Sequence, residues 1–189
     1  MPEGGDAGKG GDRPLNTMSE TYEIREMLVA IALRDRGKME EGGHNQGEWI
    51  EKFWPATSYP DGYDNAEPYC AAACCYWVRE WLRSPGVNDV FGESPEFLEE
   101  WRPKSAAVFD WEDWAIDNDV PVLSRDTVLH CGDMMIFDCS HIGIVWTDKG
   151  DNILTIEANT GPEGERDGDG CYIKLRSRYE ARSFIRLLE

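Results

Sequence analysis

Apolar residues in the first half of the chain recur at the three- and four-residue spacing of amphipathic α-helices. A first run follows Thr17 and Glu20, which fit a capping box, and it ends at Gly37. Its apolar positions are Ile24, Met27, Leu28 and Ile31. A second run follows a turn-rich segment, and its face carries Cys70, Cys74, Trp77 and Trp81. The pattern predicts two helices, and the second begins at Cys70.

Proline and serine residues predict where several helices begin and end. Pro68 suits the first turn of the second helix, because proline fixes φ and lacks an N–H that would have no partner there. The segment 84–86 ends that helix. Two further short helices are predicted, one from Ser94–Pro95 and one from Ser105 through SAAVFDWEDWAI.

The second half of the chain changes to the pattern of β-strands. Short β-rich runs alternate with Gly- and Asp-containing turns. These runs are DMMIFD, HIGIVWT, NILTIEAN, CYIKLRS and SFIRLL. Because the helices come first and the strands later, we predict an α+β fold with N-terminal helices packed on a C-terminal antiparallel sheet.

Composition limits the domain organisation and the partners. With 189 residues, 41% of them hydrophobic, and eight Trp, the chain suits one folded domain over residues 17–189, preceded by a disordered Gly- and Asp-rich tail over residues 1–16. A formal charge of -18 disfavours nucleic acid and anionic membranes as partners. We expect no membrane insertion, since no apolar stretch reaches about 20 residues. The start lacks a secretory signal, so we expect cytoplasmic synthesis and a separate delivery or targeting partner.

The six cysteines are expected to be mostly free, buried thiols. An alternative is a zinc-binding interaction module, although no CxxC pair occurs. The candidate zinc ligands are Cys70, Cys74, Cys75, His130, Cys131, Cys139 and His141. The acidic segment before Cys70 lacks the spacing of an EF-hand loop, so a solvated loop is the simpler interpretation. Its polar residues are Asp61, Asp64, Asn65 and Glu67.

Cys70 and His141 are the candidates for nucleophilic chemistry. A helix N-terminus and a nearby imidazolium both favour the reactive thiolate form of a cysteine, and the pattern puts Cys70 at such a terminus. A three-residue hairpin loop at Asp148–Gly150 would put His141 directly opposite Glu157 on the next strand. The carboxylate would then orient the imidazole.

Several segments together resemble the CHAP family of cysteine, histidine-dependent amidohydrolases/peptidases. PYCAAACCYWVREW resembles that family's nucleophile helix, and HCGDMMIF, SHIGIVW and TIEANTG resemble its following strands. GGHNQGEWIEKFW is similar to its Asn-X-Gly segment. The resemblance covers roughly residues 20–188 in the family's order.

The resemblance implies a papain-like, CHAP/NlpC-like fold and cleavage of a peptide or amide bond in bacterial peptidoglycan. It implies Cys70 as nucleophile, His141 as base, Glu157 as the orienting acceptor and Asn159 as an assisting polar residue. No cofactor is implied, although some relatives carry calcium near the nucleophile. Asp-Cys-Ser at Cys139 resembles the NlpC nucleophile motif, but it lies between two β-patterned runs. The alternatives are a non-catalytic papain-like module and a peptidase acting on proteins.

Overall fold

The computed structural model describes residues 18–189. The proposed tail at residues 1–16 and Thr17 of the capping box lie outside this range. Six α-helices lie along the first part of the described chain, separated by turns and short 3₁₀ segments. They are α1 Met18–Leu33, α2 Glu48–Glu51, α3 Cys70–Leu82, α4 Val87–Phe91, α5 Pro95–Trp101 and α6 Asp110–Asp117.

In the later part of the described chain, six strands form one antiparallel sheet. The strands are β1 Val122–Leu123, β2 Met134–Phe137, β3 His141–Asp148, β4 Asn152–Thr160, β5 Gly170–Ser177 and β6 Ala181–Ile185. Their order across the sheet is β1-β6-β2-β3-β4-β5. The predicted α+β class is therefore confirmed, and each of the five β-rich runs forms a strand.

Alternating side chains give the sheet two differently covered faces. On one face α1 and α3 pack against β3 and β4, which builds the main core. The strand residues of this face include Met134, Ile136, Ile142, Ile144, Ile156 and Ala158. The opposite face carries a smaller cluster, whose members include Met135, Phe137, Val145, Ile153 and Phe184. His141 belongs to this second face, where its ring lies 5.3 Å from the ring of Phe137, centroid to centroid.

Two helices begin at the residues predicted from the sequence, and a third begins later than predicted. Helix α3 begins at Cys70 as predicted, and Ser94 caps α5 by accepting a hydrogen bond from the Phe97 N–H at 3.1 Å. The helix expected from Ser105 was predicted wrongly, because α6 begins only at Asp110. The Ser105 hydroxyl donates to the Asp110 carboxylate and accepts from the Ala107 N–H, and these bonds stabilise a turn instead.

A buried carboxylate connects the end of α1 to the middle of α3. Asp35 is 1% exposed and accepts the indole N–H of Trp77 at 2.9 Å. Its other oxygen accepts from Lys38 at 2.7 Å and from Lys52 at 2.5 Å. Since Trp77 is fully buried on α3, this contact fixes the helix that begins with Cys70. Within residues 18–189, no helix is both long enough and apolar enough to span a membrane.

We expect Asp35→Ala to lower the free energy of unfolding by about 2–3 kcal/mol, because the Trp77 indole N–H would be left buried without an acceptor. Urea unfolding at pH 7 measures the change. Glu51→Ala removes an exposed carboxylate and should change stability by less than about 0.5 kcal/mol. Equal stability of the two variants would contradict the role assigned to Asp35.

Candidate active site

Cys70 is the first residue of α3, and it combines a helix N-terminus with access to a cleft. The N-terminal N–H groups of a helix have no partners within the helix, so they favour negative charge nearby. The Cys70 side chain is 5% exposed and lines a cavity of about 370 Å³ as well as a second one of about 150 Å³. A nucleophile on this residue would therefore meet a bound molecule from the floor of the cleft.

The pairing of β3 with β4 differs from the predicted register, although the face is the predicted one. Ile144 pairs with Ile156, so continuing the ladder puts Gly143, not His141, opposite Glu157. The turn lies further along the chain than expected, between Asp148 and Asn152, and Trp146 forms a β-bulge between Val145 and Thr147. Together, the turn and the bulge shift the partner of Glu157 on β3 by two residues from the predicted one. Because side chains alternate with a period of two, an even shift keeps His141 and Glu157 on one face.

Gly143 provides the space through which Glu157 reaches the imidazole. A Cβ atom at residue 143 would lie only 2.6 Å from Cγ of Glu157. With hydrogen at this position, the Glu157 side chain extends diagonally across β3. Its Oε2 then lies 2.9 Å from Nε2 of His141. The predicted contact between His141 and Glu157 is present, but it is a diagonal contact and not a directly opposed pair.

The imidazole of His141 lies between two groups that favour its protonated form. Burial by itself lowers the pKa of His141, but the Cys70 sulfur and the Glu157 carboxylate outweigh burial and raise the pKa to about 10. Nε2 donates to Glu157, because an ionised carboxylate only accepts hydrogen bonds. Nδ1 is buried and forms no hydrogen bond within the described chain, so it is the ring nitrogen that remains available to the Cys70 sulfur.

Arg176 is a site residue that the sequence analysis missed. Burial raises the pKa of Glu157, but hydrogen bonds from Arg176 and His141 lower it to about 2. Nε of Arg176 donates to one carboxylate oxygen at 2.8 Å, and Nη2 donates to the other at 2.5 Å. The Thr155 hydroxyl donates to Glu157 at 2.5 Å. Arg176 lies on β5 and Glu157 lies on β4. The contact between them could be predicted from the sequence only if the register of β5 against β4 were known.

Asn159 lies near Cys70 but makes no hydrogen bond to His141. It is 1% exposed, and its backbone has a positive φ of 56°. Its side-chain N–H groups donate to Asn45 at 3.0 Å, to Asp167 at 3.2 Å and to the backbone carbonyl of Gly168 at 3.2 Å. Asn45 in turn donates to the carbonyl of residue 66, four residues before Cys70. Asn159 therefore connects the two loops that border Cys70.

The other cysteines lack this combination of features. All six are free thiols, as expected. Burial raises the pKa of Cys75 to about 12 and raises the pKa of Cys74 and Cys171 well above the ordinary value, which keeps these thiols protonated. Cys139 is exposed in the turn between β2 and β3 and does not begin a helix. Within residues 18–189, no three Cys, His, Asp or Glu side chains are grouped so that they could hold a metal ion.

Comparisons of the chain with models of known protein families, with curated proteins and with solved structures find no match.

We expect Cys70→Ala to lower the pKa of His141 below its value of about 10, because the sulfur is one of the two groups that raise it. An NMR titration of the imidazole measures the pKa, and the signal is assigned by its absence from a His141→Asn variant. Cys139→Ala serves as the control and should leave the titration unchanged. A His141 pKa that stays near 10 without the Cys70 sulfur would disprove the coupling.

We expect Arg176→Met to destabilise the protein at pH 7 by about 3 kcal/mol, since it leaves Glu157 buried without its main counter-charge. The ordinary pKa of 4.5 falls to about 2 on folding, so the ionised Glu157 contributes stability above pH 4.5 that is lost as the pH falls towards 2. The stability difference should therefore narrow between pH 7 and pH 3. Urea unfolding at both pH values tests this.

The matched control for Arg176 is Arg182→Met. Arg182 is half exposed and pairs with Glu112 at 2.7 Å. Its loss should cost less than about 1 kcal/mol, as is usual for an ion pair in contact with solvent. A loss of stability at Arg176 no larger than that at Arg182 would show that Glu157 does not depend on its arginine.

Proposed function

We propose that the protein is a papain-like cysteine hydrolase of the CHAP type, which cleaves peptide or amide bonds of bacterial peptidoglycan. One observation carries the proposal. The buried imidazole of His141 donates from Nε2 to the Glu157 carboxylate, and Cys70, which begins α3 and lines a cleft, is close enough to raise the pKa of the imidazole. This arrangement of nucleophile, base and orienting acceptor is the one that covalent acyl transfer requires.

In the proposed mechanism, Cys70 and His141 form a thiolate–imidazolium pair. The thiolate attacks the scissile carbonyl, and the backbone N–H of Cys70 at the helix start stabilises the oxyanion. His141 donates its Nδ1 proton to the leaving amine, which leaves a thioester on Cys70. A water molecule, deprotonated by His141, then attacks the thioester and releases the acid. Glu157 keeps the ring in orientation throughout.

The choice of peptidoglycan as substrate comes from the resemblance to CHAP enzymes. The segments that resemble the family's nucleophile helix, its His-X-Gly-Ile-Val strand and its Glu-X-Asn strand occur in the family's order and lie in α3, β3 and β4 of this chain. The proposed activity is that of an endopeptidase or of an N-acetylmuramoyl-L-alanine amidase. The enzyme would act as a phage lysin, a tail-associated wall-degrading enzyme or a bacterial toxin, and a partner would deliver it to the wall.

Digestion of purified peptidoglycan, followed by mass spectrometry of the fragments, tests the proposal. We expect wild-type protein to release stem-peptide fragments whose new termini identify the cleaved bond. Cys70→Ala should lower the rate by about a thousandfold or more, because the covalent step loses its nucleophile. Cys139→Ala should retain the wild-type rate. Full activity of Cys70→Ala, or cleavage of unfolded proteins but not of peptidoglycan, would refute the assignment.

A further inference from the structure

Two cavities adjoin the nucleophile, and one arginine borders both of them. Pro68, Cys70 and Arg166 line the 370 Å³ cavity as well as the 150 Å³ cavity. A substrate cut in its middle must lie on both sides of the sulfur. Because Arg166 is common to both cavities, a group bound to its guanidinium would lie close to the scissile bond.

The charge of Arg166 is not neutralised within the described residues. No carboxylate between residues 18 and 189 lies within 4.0 Å of its guanidinium. The acidic neighbours of Arg166 make other contacts: Asp167 accepts from Asn159 and lies 3.5 Å from His44. The carboxylate of Glu165 lies against Gly161, where an added Cβ would meet its Oε2 at 2.1 Å. Arg166 is exposed, so its donors are free for a ligand.

The loop that carries Arg166, residues 161–169, is tied to the catalytic residues at both ends. At its start, the hydroxyl of Thr160 donates to the carbonyl of Glu165 at 2.6 Å. In the middle, Arg176 donates to the carbonyl of Gly164 at 3.0 Å while it holds Glu157. At its end, the Gly168 N–H donates to the carbonyl of Asn159 at 3.3 Å. The loop therefore has a defined position relative to Cys70.

The chain has a net charge of -18, so an unpaired arginine beside the nucleophile provides a local positive charge in an otherwise acidic protein. The overall field repels anionic ligands, so a carboxylate enters the cleft only where a local cation compensates. The planar guanidinium binds a carboxylate through two parallel hydrogen bonds. The apolar part of the larger cavity, which includes Trp54 and Ala106, would accommodate the adjoining chain of a peptide.

We propose that Arg166 binds a free carboxylate of the substrate next to the scissile bond, and that the enzyme selects stem peptides whose isoglutamyl α-carboxylate is not amidated. This inference rests on the proposed function for the identity of the peptide. Arg166 is in this view a specificity residue: it contacts the substrate but takes no part in the proton transfers of Cys70 and His141.

The test uses two synthetic stem peptides, L-Ala–γ-D-Glu–L-Lys–D-Ala–D-Ala and its counterpart with the glutamyl α-carboxylate amidated. In wild-type protein we expect kcat/KM to be about tenfold or more higher for the free acid, as one charge-assisted contact provides. In Arg166→Ala, kcat/KM for the free-acid peptide should fall to the value for the amidated peptide, and kcat/KM for the amidated peptide should not change. Arg34→Ala removes an exposed arginine outside the cleft and should keep the wild-type preference.

A second measurement separates this inference from the proposed activity. Calorimetric titration of Cys70→Ala, full length, gives the affinity for both peptides without turnover, and the same titration is made with Cys70→Ala/Arg166→Ala. A carboxylate-dependent affinity that vanishes in the double variant supports Arg166 even if wild-type protein cleaves neither peptide, in which case only the proposed activity fails. Equal affinity of Cys70→Ala for both peptides, or binding of neither, overturns the assignment of Arg166.

Discussion

The site depends on keeping one buried carboxylate ionised. Removing a carboxylate from water costs several kcal/mol, and Glu157 is fully buried in the second face of the sheet. The bidentate contact from Arg176 and the donors on Thr155 and His141 offset that cost. Gly143 belongs to the same set, because only a residue without Cβ lets the Glu157 side chain cross β3. With Glu157 charged, the imidazole has a defined tautomer and orientation.

Helix α3 and strand β3 meet at the imidazole of His141, which Glu157 keeps in a fixed orientation. His141 is the first residue of β3, and the N-terminus of α3 brings Cys70 close enough to raise the pKa of its ring. Glu157 and Cys70 both raise the pKa of the imidazole, so the ring favours its protonated form. The side-chain amide of Asn159 connects the loop of Asn45 with the loop of Arg166 next to this site. The proposed catalytic residues and the proposed substrate-binding loop are therefore joined by hydrogen bonds through Asn159.

Sequence patterns predicted the elements better than their connections. The amphipathic spacing identified α3 from its first residue, and the period-two runs identified the five longer strands, because both reflect which side chains face the core. The start of α6 was misjudged because the hydrogen bonds of the Ser105 side chain compete with helix formation. The β3–β4 register was misjudged because neither the position of the turn nor a bulge at Trp146 follows from the hydrophobic pattern.

The sequence by itself determined the α+β class, the position of Cys70 at a helix start, and the common face of His141 and Glu157. These properties are local, or they depend only on the parity of strand positions. The tertiary structure decided the diagonal contact between His141 and Glu157, the counter-charge from Arg176 and the partners of Asn159. These contacts join residues from different strands and loops, and their distances depend on how the sheet is paired and how the loops fold over its end.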